Sequence, residues 1–477
     1  MEHNGSELLW NPYDRLFTKP VGAFKLAFVV ATYRHGMKDA VTKKAAQQRP
    51  IFIDGFIVAK TPDARELVEA IARDVIKKLN LNPQRPSSAA RVKRQVEIIV
   101  CNAALNEQTS IPLSKRFLGR FDRYKAPKLT ESMRPVLDAM VDLGYIRLDV
   151  GTKASFEPVE LNEGEEEDAF VAEDAGHTGL SRISSLNIPS IPRHHFSRHP
   201  REGERIILKK PNVKGQHGFY LHYEDTPETE RMRSELQTIS DAIRARVDYI
   251  GDDSRIDDSS VFLQRSFIRI EGKEDFTQGG RIFGHPHPWW LPLSSKDRFN
   301  DIAIDGSDQL VEVDYGQHAV RTLYGLAGLQ PTFEDAYAIP GYEDSREAVK
   351  KVLNSMIWAE APLSRFPRSE GSDAPLKTQF PKGTKVEAVA EAIRRFHEPV
   401  AHLFHEDHGL GIQYLESQTM VKVLLRLLDA GITALPYHDA ILVAQEHQAL
   451  AVEVMLTAFR EATGAEGKIK IRSSNGS

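Results

Sequence analysis

The sequence predicts an α+β fold in which an antiparallel sheet packs against helices. Residues 435–443 contain two short apolar runs separated by a histidine and an aspartate, which predicts a β-hairpin. Residues 420–428 are strongly apolar at helical spacing, and a glycine follows soon after, so a buried helix is expected before the hairpin. Residues 310–317 alternate as a strand and lead directly into a helical pattern at 318–327.

Length and composition indicate a globular chain with two or three domains. The chain has 477 residues, of which 41% are hydrophobic and 27% are charged, as is ordinary for a globular protein. The net charge of −5 means that any surface for nucleic acid must be local. The single cysteine, Cys101, excludes an internal disulfide and a cysteine-based zinc site. The first residues show no signal-peptide pattern, and the apolar run 26–32 is too short to span a membrane. We therefore expect a cytoplasmic protein without a membrane partner.

Residues 111–128 combine cations with aromatic rings. The cations are Lys115, Arg116, Arg120, Arg123, Lys125 and Lys128, and the rings are Phe117, Phe121 and Tyr124. Because cations neutralise phosphates and rings stack on bases, the segment is predicted to bind nucleic acid. A solvated basic loop is the alternative interpretation.

The segments around this basic stretch predict a mostly helical N-terminal domain, residues 1–155. Residues 64–81 have the spacing of an amphipathic helix. Thr130 is expected to cap a second helix at 131–143, and residues 145–151 then alternate as a strand. This order resembles the end of a winged helix-turn-helix domain.

Residues 156–200 predict an acidic and polar linker. Eight acids and no lysine or arginine lie between residues 159 and 174, and a stretch rich in serine, proline and histidine follows. His194, His195 and His199 offer a metal-binding alternative within that stretch.

Helix and strand patterns resume at residue 201. Residues 226–247 predict a long charged helix that is mostly solvent-facing. A glycine–glycine turn before Arg281, together with the nearby Arg298, favours contact with phosphates and bases. The tryptophan pair at 289–290 is expected to pack in the core.

Two aspartates are predicted at the ends of strands. Asp439 lies at the tip of the hairpin, a rigid position for a metal ligand. Asp314 stands where a strand meets a helix and offers a second carboxylate. Glu312 lies two residues earlier on the same strand face and is an additional candidate ligand.

A helix that Ser345 is expected to cap follows the second aspartate. Arg346, Lys350 and Asn354 are four residues apart and share one face of this helix. Two cations and an amide in one stripe suit a polyphosphate, and an exposed charged helix is the alternative.

These pieces, in this order, resemble motifs A, B and C of family A DNA polymerases and single-subunit phage-type RNA polymerases. Motif A of that family reads Asp-Tyr-Ser-Gln-Ile-Glu-Leu-Arg, and residues 314–321 read Asp-Tyr-Gly-Gln-His-Ala-Val-Arg. Motif C reads His-Asp-Glu or His-Asp-Ser, and residues 438–440 read His-Asp-Ala. The resemblance covers residues 260–465.

The resemblance implies a role for each candidate site residue. Asp314 and Asp439, with the carbonyl of Tyr315, would hold two Mg²⁺ ions, for which Mn²⁺ would substitute. Arg346 and Lys350 would hold the triphosphate, with Lys350 protonating pyrophosphate and Lys351 as the alternative to it. The other nucleotide-binding positions are Asn354, Ala319 and Trp358, and the primer–template positions are His438, Arg321, Gln317, Arg281 and Arg298.

The implied fold is a right-hand polymerase that follows the N-terminal domain. A thumb-like helical region would occupy 201–260, the palm 261–330 and 416–477, and the fingers 331–415. The implied function is template-directed nucleotide addition to a DNA or RNA primer–template, favouring DNA synthesis with relaxed sugar selection.

The departures from the family motifs leave alternatives open. Ala319 replaces the glutamate that blocks a 2′-hydroxyl in the DNA enzymes, while Trp358 offers another block. A single-subunit RNA polymerase, a primase and an inactive DNA-binding initiator of replication are the alternatives. The domain combination suggests a phage or mobile element, and the sequence leaves the oligomeric state open.

Overall fold

A computed structural model describes most of the chain from residue 53 onward. The described residues are 53–81, 86–111, 113, 118, 123–124, 128–150, 181–199, 202–211, 220–253, 256–284, 288–368 and 375–473. They divide into a first unit that ends at Phe196 and a second unit formed by Ser197–Pro211 and the residues from Tyr220 onward. Helices are mixed with sheets whose described strand pairs are mostly antiparallel, with Ile206–Lys209 and Leu263–Ile268 pairing in parallel, which agrees with the predicted α+β class. None of the helices in the described ranges is long and apolar enough to cross a membrane.

The first unit surrounds its own hydrophobic core. Its described elements are β1 (Ile57–Ala59), α1 (Pro62–Lys78), α2 (Pro86–Leu105), β2 (Gln108–Ile111), α3 (Met133–Asp142), β3 (Ile146–Asp149) and β4 (Ser181–Ser185), followed by a 3₁₀ turn (Arg193–His195). Strand β5 (Phe196–Arg198) begins at the last residue of this unit and continues into the second unit. Strand β4 lies between β2 and β3, and both pairs are antiparallel. The resemblance to a winged-helix domain stays a prediction.

Two helix starts differ from the sequence expectation. Helix α1 begins two residues early, because the hydroxyl of Thr61 accepts the amide N–H of Ala64 and a proline occupies the first helical position. Helix α3 begins after Ser132 instead of Thr130. The hydroxyls of Thr130 and Ser132 hydrogen-bond to each other over 2.8 Å, so Thr130 does not cap the helix.

Strand β4 falls inside the segment expected to be a linker, residues 156–200. Its sequence is polar, and Ile183 is the residue that it places in the core. Backbone pairing on both sides stabilises a strand whose side chains give little hydrophobic signal. In the same segment, Nδ1 of His195 hydrogen-bonds with the hydroxyl of Thr61 over 2.7 Å.

The second unit contains Asp314, Asp439 and the helix that begins at Arg346. Its described strands are β6 (Ile206–Lys209), β7 (Val247–Tyr249), β8 (Leu263–Ile268), β9 (Gly279–Gly284), β10 (Ile302–Ile304), β11 (Leu310–Tyr315), β12 (Leu435–Tyr437), β13 (Ala440–Ala444) and β14 (Ile469–Ser473). Its described helices are α4 (Pro227–Arg246), α5 (Ser295–Asn300), α6 (His318–Leu326), α7 (Arg346–Trp358), α8 (Val386–Phe396), α9 (Gly409–Asp429) and α10 (Gln448–Thr463). Short 3₁₀ segments lie at Glu343–Ser345, Leu376–Gln379, Glu398–Leu403 and Gln445–His447.

A four-stranded antiparallel sheet holds the two predicted aspartates. The strand order is β12-β13-β11-β14, so β11 is central and β14 lies at an edge. The main core of the second unit is a hydrophobic cluster to which α9 and α10 contribute side chains. Val311 and Val313 of β11 are fully buried in it. Because successive side chains of a strand point to opposite faces, Glu312 and Asp314 lie on the other face of β11. The hairpin and the strand–helix junction predicted from sequence are both present.

A second sheet, with the order β6-β8-β9, shares the main core. Helix α4 contributes Met232, Leu236, Ile239 and Ile243 to that core. Most residues of this helix are at least partly exposed, as expected, and the charged residues on its other faces masked the apolar stripe that packs in the core. The division of this unit into thumb, palm and fingers stays a prediction.

Helices α6, α7 and α8 pack around a separate core. Its members lie between Val320 and Ile412, and α7 contributes the buried face that includes Val349 and Leu353. Ser345 occupies the residue before α7, but its hydroxyl donates to the carbonyl of Gln379 over 2.7 Å and makes no capping bond. This packing leaves the opposite face of α7 outside the core.

Candidate active site

The structure brings Asp314 and Asp439 to the same end of two neighbouring strands. Asp314 pairs in register with Ala440, the residue after Asp439. The amide N–H of Tyr315 donates to the carbonyl of Asp439 over 3.3 Å. The two aspartates, far apart in sequence, are thus next to each other where β11 ends and β13 begins.

The two carboxylates repel each other. Burial, and then the charge of Asp439, raise the pKa of Asp314 to about 6, while the guanidinium of Arg472 acts in the opposite direction. The side chain of Asp314 is 16% exposed. The two carboxylates therefore lie close together in a place that is partly shielded from water.

His438 forms the turn that presents Asp439. Its backbone is left-handed, with a φ of 56°, a conformation that costs a non-glycine residue of order 1 kcal/mol or more. The imidazole packs against Tyr437, with ring centroids 4.5 Å apart. Burial is the main cause that lowers the pKa of His438, so the ring is neutral at pH 7. The strained two-residue turn fixes the direction of the aspartate.

Arg281 reaches the same site from the second sheet. It bonds Glu416 of α9 through two hydrogen bonds, 2.7 and 2.9 Å long. The sequence suggested a glycine turn before Arg281, whereas Gly279 and Gly280 belong to β9, with φ of 76° and 83° beside an irregular pairing with β8. A Cβ on Gly280 would lie 2.5 Å from the ring of Phe267, so this position requires glycine. The bent strand directs Arg281 towards Glu416.

Glu312 differs from the expectation of an additional metal ligand. It is 1% exposed, and Nη1 of Arg472 donates to its carboxylate over 2.6 Å. Nη2 of Arg298 lies 3.6 Å from the other oxygen. Two guanidinium groups therefore balance the charge of Glu312, and within the described ranges its second carboxylate oxygen has no hydrogen-bond partner. Because Nη2 of Arg472 is also 3.7 Å from Asp314, this arginine links the two acids of β11.

Arg298 has a structural role instead of the expected contact with primer or template. It is buried, and it donates to the carbonyl of Leu293 over 2.7 Å. Its guanidinium lies 3.6 Å from the ring centroid of Tyr437, next to the hairpin turn. The tryptophan pair is buried as predicted, and Nε1 of Trp290 donates to the carbonyl of Pro436 over 2.7 Å. These contacts hold the hairpin in place.

Gln317 and Arg321 are likewise buried, contrary to the expectation that they contact primer or template. Arg321 donates to the side chain of Gln317 over 3.3 Å and to the carbonyl of Glu466 over 3.1 Å. Gln317, with a left-handed φ of 62°, donates to Asp335 over 3.2 Å. The buried hydrogen bonds of Gln317 and Arg321 therefore stabilise the turn between β11 and α6.

Arg346 is connected to this turn. It donates twice to the carboxylate of Asp335, which also accepts from Gln317. The guanidinium of Arg346 and the ammonium of Lys350 lie 5.2 and 5.9 Å from the ring centroid of Tyr337. The predicted phosphate-binding cations therefore stand together on α7, one turn apart.

The stripe of α7 continues beyond its two cations. In the described part of the chain, Oδ1 of Asn354 is buried without a hydrogen-bond partner. Trp358 is 45% exposed, and a Cβ on Gly409 would lie 2.1 Å from its ring, so one face of the indole packs directly on that glycine. Lys351 is exposed, and Ala319 is partly buried against the core of α6, α7 and α8. Their roles in nucleotide binding stay predictions.

The remaining expected site residues are Tyr315 and the basic residues of the first unit. The phenol of Tyr315 is buried and donates to the carbonyl of Met455 over 2.7 Å, so only its backbone carbonyl could serve a metal. Four of the basic residues proposed to bind nucleic acid lie outside the described residues, namely Lys115, Arg116, Arg120 and Lys125. Arg123 is described within a turn, and its role stays a prediction.

Sequence reasoning missed four residues that shape the site. They are Glu416, Asp335, Arg472 and Lys470. Lysine and arginine at the alternating positions 468, 470 and 472, just before and within a short strand, were a usable signal for the last two. Glu416 and Asp335 could not be recognised from the residues around them, because the side chains that they bind are distant in sequence or on another element.

A similarity to a known protein is found at the level of structure. No family model matches the chain, and no curated protein matches it. Among solved structures, the chain is similar to the POL domain of Pol1 from M. smegmatis in complex with DNA primer-template and dNTP, with 13% identity and a TM-score of 0.27. The match covers 52% of this chain and 52% of that chain, so it spans about half of the structure it matches.

Proposed function

We propose that the chain is a template-directed nucleic acid polymerase, a nucleotidyltransferase that adds nucleotides to a 3′-hydroxyl by two-metal-ion catalysis. A DNA primer–template and nucleoside triphosphates are its expected substrates, with relaxed choice between deoxyribose and ribose.

The adjacency of Asp314 and Asp439 carries this proposal. Burial is the main cause that raises the pKa of Asp314, and the charge of the neighbouring Asp439 adds to it. A helix bearing Arg346 and Lys350 is tied to the same turn through Asp335. Paired carboxylates for metals, beside cations for phosphates, are what phosphoryl transfer from a nucleoside triphosphate requires.

The donor atoms fit Mg²⁺, with Mn²⁺ as a substitute. Groups of three or more histidine, cysteine or acidic side chains that could hold a metal are absent from the described ranges. Mg²⁺ is commonly bound by one or two carboxylates and completes its shell with water and substrate phosphates. Asp314 and Asp439, with the carbonyl of Tyr315, would therefore suffice. When bound, the two ions favour deprotonation of the 3′-hydroxyl and neutralise the leaving pyrophosphate.

The other side chains would position the substrates. Arg346 and Lys350 would bind the triphosphate, and Lys350 would give a proton to the departing pyrophosphate. His438, neutral and fixed in the hairpin turn, would contact the end of the primer. Arg281, held by Glu416, would lie beside it. Cationic side chains in these positions would stabilise the negative charge that develops on the phosphates in the transition state.

Sugar selection would depend on the residues around the nucleotide. Ala319 leaves room where a larger acid would exclude a 2′-hydroxyl. One face of the Trp358 indole packs on Gly409, and the rest of the ring is exposed. At the end of α7, this ring would sterically limit the size of the bound sugar. A single-subunit RNA polymerase or a primase would use the same carboxylates with another sugar or without a primer.

Primer extension tests the proposal directly. The protein is incubated with Mg²⁺ and a labelled primer–template, or with template alone, and with dNTPs or rNTPs in turn. We expect Asp314→Asn and Asp439→Asn to abolish extension while primer–template binding survives. Asp429→Asn, at an exposed acid that ends α9, is the matched control and should extend normally. Extension by both site variants would refute the assignment, and a wild-type protein that binds DNA without extending it would favour the inactive initiator.

A further inference from the structure

Strand β14 adds a row of cations to the sheet beside Asp314. Lys470 pairs in register with Asp314, and Arg472 pairs with Glu312. Residues in register on neighbouring strands point to the same face of a sheet, so both cations share the face of the two acids. Lys468 precedes the strand by one residue. The sequence resemblance assigns no role to any of these three residues.

The side chain of Lys470 lies across the turn that follows Tyr315. A Cβ on Gly316 would lie 3.4 Å from Cε of Lys470 and 3.5 Å from Cγ of Lys468. The amide N–H of Gly316 donates to the carbonyl of Lys468 over 2.7 Å, which fixes the strand against the turn. The stem of Lys470 therefore lies in van der Waals reach of the turn at Gly316.

Lys470 differs from its two basic neighbours in its contacts. Arg472 is occupied by Glu312 and Asp314, and Nζ of Lys468 donates to the carbonyl of Glu334 over 2.8 Å. Within the described ranges, the ammonium of Lys470 makes no ion pair, although it is close enough to Asp314 to favour the charged carboxylate. An ammonium without an ion pair beside a carboxylate cluster is ready for an anionic ligand.

The turn under Lys470 is also the one that leads to the cations of α7. Gln317 follows Gly316 and donates to Asp335, which in turn binds Arg346. Lys470 of β14 and Arg346 of α7 are thus both connected to the turn between β11 and α6. A polyphosphate bound by α7 would extend towards this turn.

We propose that Lys470 binds a phosphate of the incoming nucleoside triphosphate and is a further substrate-binding residue of the site. This inference rests on the proposed polymerase function. The phosphodiester at the primer end carries the same chemistry, but the link to Arg346 favours the triphosphate. A charge-assisted hydrogen bond between an ammonium and a phosphate commonly changes affinity about tenfold or more.

Equilibrium binding tests this assignment without requiring turnover. A primer ending in a dideoxynucleotide is annealed to template, and the next matching nucleotide is titrated with Mg²⁺ into wild-type protein and variants. We expect Lys470→Ala to weaken nucleotide binding about tenfold, and Lys470→Arg to restore most of it. Lys422→Ala is the control, because this exposed lysine pairs with Glu461 on the helical side of the unit. Affinity for the primer–template alone should change less than about twofold.

Two results would overturn the assignment. If Lys470→Ala weakens primer–template binding and leaves nucleotide affinity unchanged, the phosphate belongs to the primer. If neither affinity changes, Lys470 binds neither ligand. Primer extension distinguishes both results from a failure of the proposed function. If wild-type protein extends a primer and Asp314→Asn does not, the polymerase assignment stands whatever the binding measurements say about Lys470.

Discussion

Replacing Asp314 by asparagine should make the metal-free protein more stable while removing its activity. The folded pKa of about 6 lies above the ordinary value of 3.8, so the folded state binds this proton more tightly than the unfolded state. The protonated group stabilises the fold at low pH, and that contribution is lost as pH rises through about 6. Above that pH the charged carboxylate is a net cost to folding.

The magnitude follows from the pKa difference. A shift of about two units corresponds to roughly 3 kcal/mol, and partial exposure of the group reduces this to about 2 kcal/mol. Asparagine keeps the size of the side chain and removes the charge. Arg472 remains paired with Glu312 in the variant, so no buried cation is left alone. We therefore expect Asp314→Asn to gain about 2 kcal/mol at pH 7.5.

Urea unfolding measures this effect. Wild type, Asp314→Asn and the control Asp429→Asn are compared in EDTA at pH 7.5 and pH 4.5, with equal m-values required for the comparison. The gain should appear at pH 7.5 and shrink at pH 4.5, where the wild-type carboxylate is protonated in the fold. Added Mg²⁺ should stabilise wild type by about 1.4 kcal/mol at ten times its Kd, and the variant much less.

Three outcomes would refute this reasoning. A variant less stable than wild type at pH 7.5 would mean that Asp314 contributes favourable contacts larger than its charge penalty. A gain of equal size at both pH values would mean that charge is not its cause. Equal stabilisation of both proteins by Mg²⁺ would place the ion elsewhere.

Three further predictions concern α7, β9 and a buried histidine. Arg346→Ala should raise the KM for nucleotide about tenfold or more in primer extension, whereas Arg395→Ala, at an exposed arginine on α8, should leave it unchanged. Gly280→Ala should destabilise the fold by about 2–4 kcal/mol in urea unfolding, because its φ is 83° and its Cβ would meet Phe267. An unchanged midpoint would contradict that geometry. Burial lowers the pKa of His397 to about 4, so the fold should lose up to about 3 kcal/mol as pH falls from 6.5 to 4, and His397→Phe should flatten this part of the pH profile.

Local patterns predicted the elements that carry the candidate site. The hairpin around Asp439, the junction at Asp314 and the spacing of Arg346 and Lys350 all depend on residues within one turn or one strand. Their placement follows from periodicity and turn chemistry, which a single sequence contains. Adjacency of the two aspartates was implied by the family resemblance, and the register of β11 with β13 accounts for it.

The remaining features depend on partners that are distant in sequence. Arg298 and Arg321 have the composition of nucleic-acid contacts, but both end in buried hydrogen bonds to carbonyls and side chains. The residue type fixes the charge, whereas tertiary packing decides whether that charge faces solvent. Strand β4 was missed for a related reason, since a polar strand is stabilised by its two neighbours and leaves little trace in its own residues.

The pairing of β11 with β13 also determines which changes in length the chain can tolerate. A single inserted or deleted residue in the turn at His438 would shift β13 by one position, and every side chain after it would exchange faces. Ile441 and Val443 would then exchange faces with Leu442, which would disturb the packing on both buried faces of β13, and Asp439 would no longer sit beside Asp314. Length changes in this hairpin should therefore be tolerated only in pairs that preserve the alternation. Substitutions that keep the register, even at the position of Ala440, should be accepted far more readily.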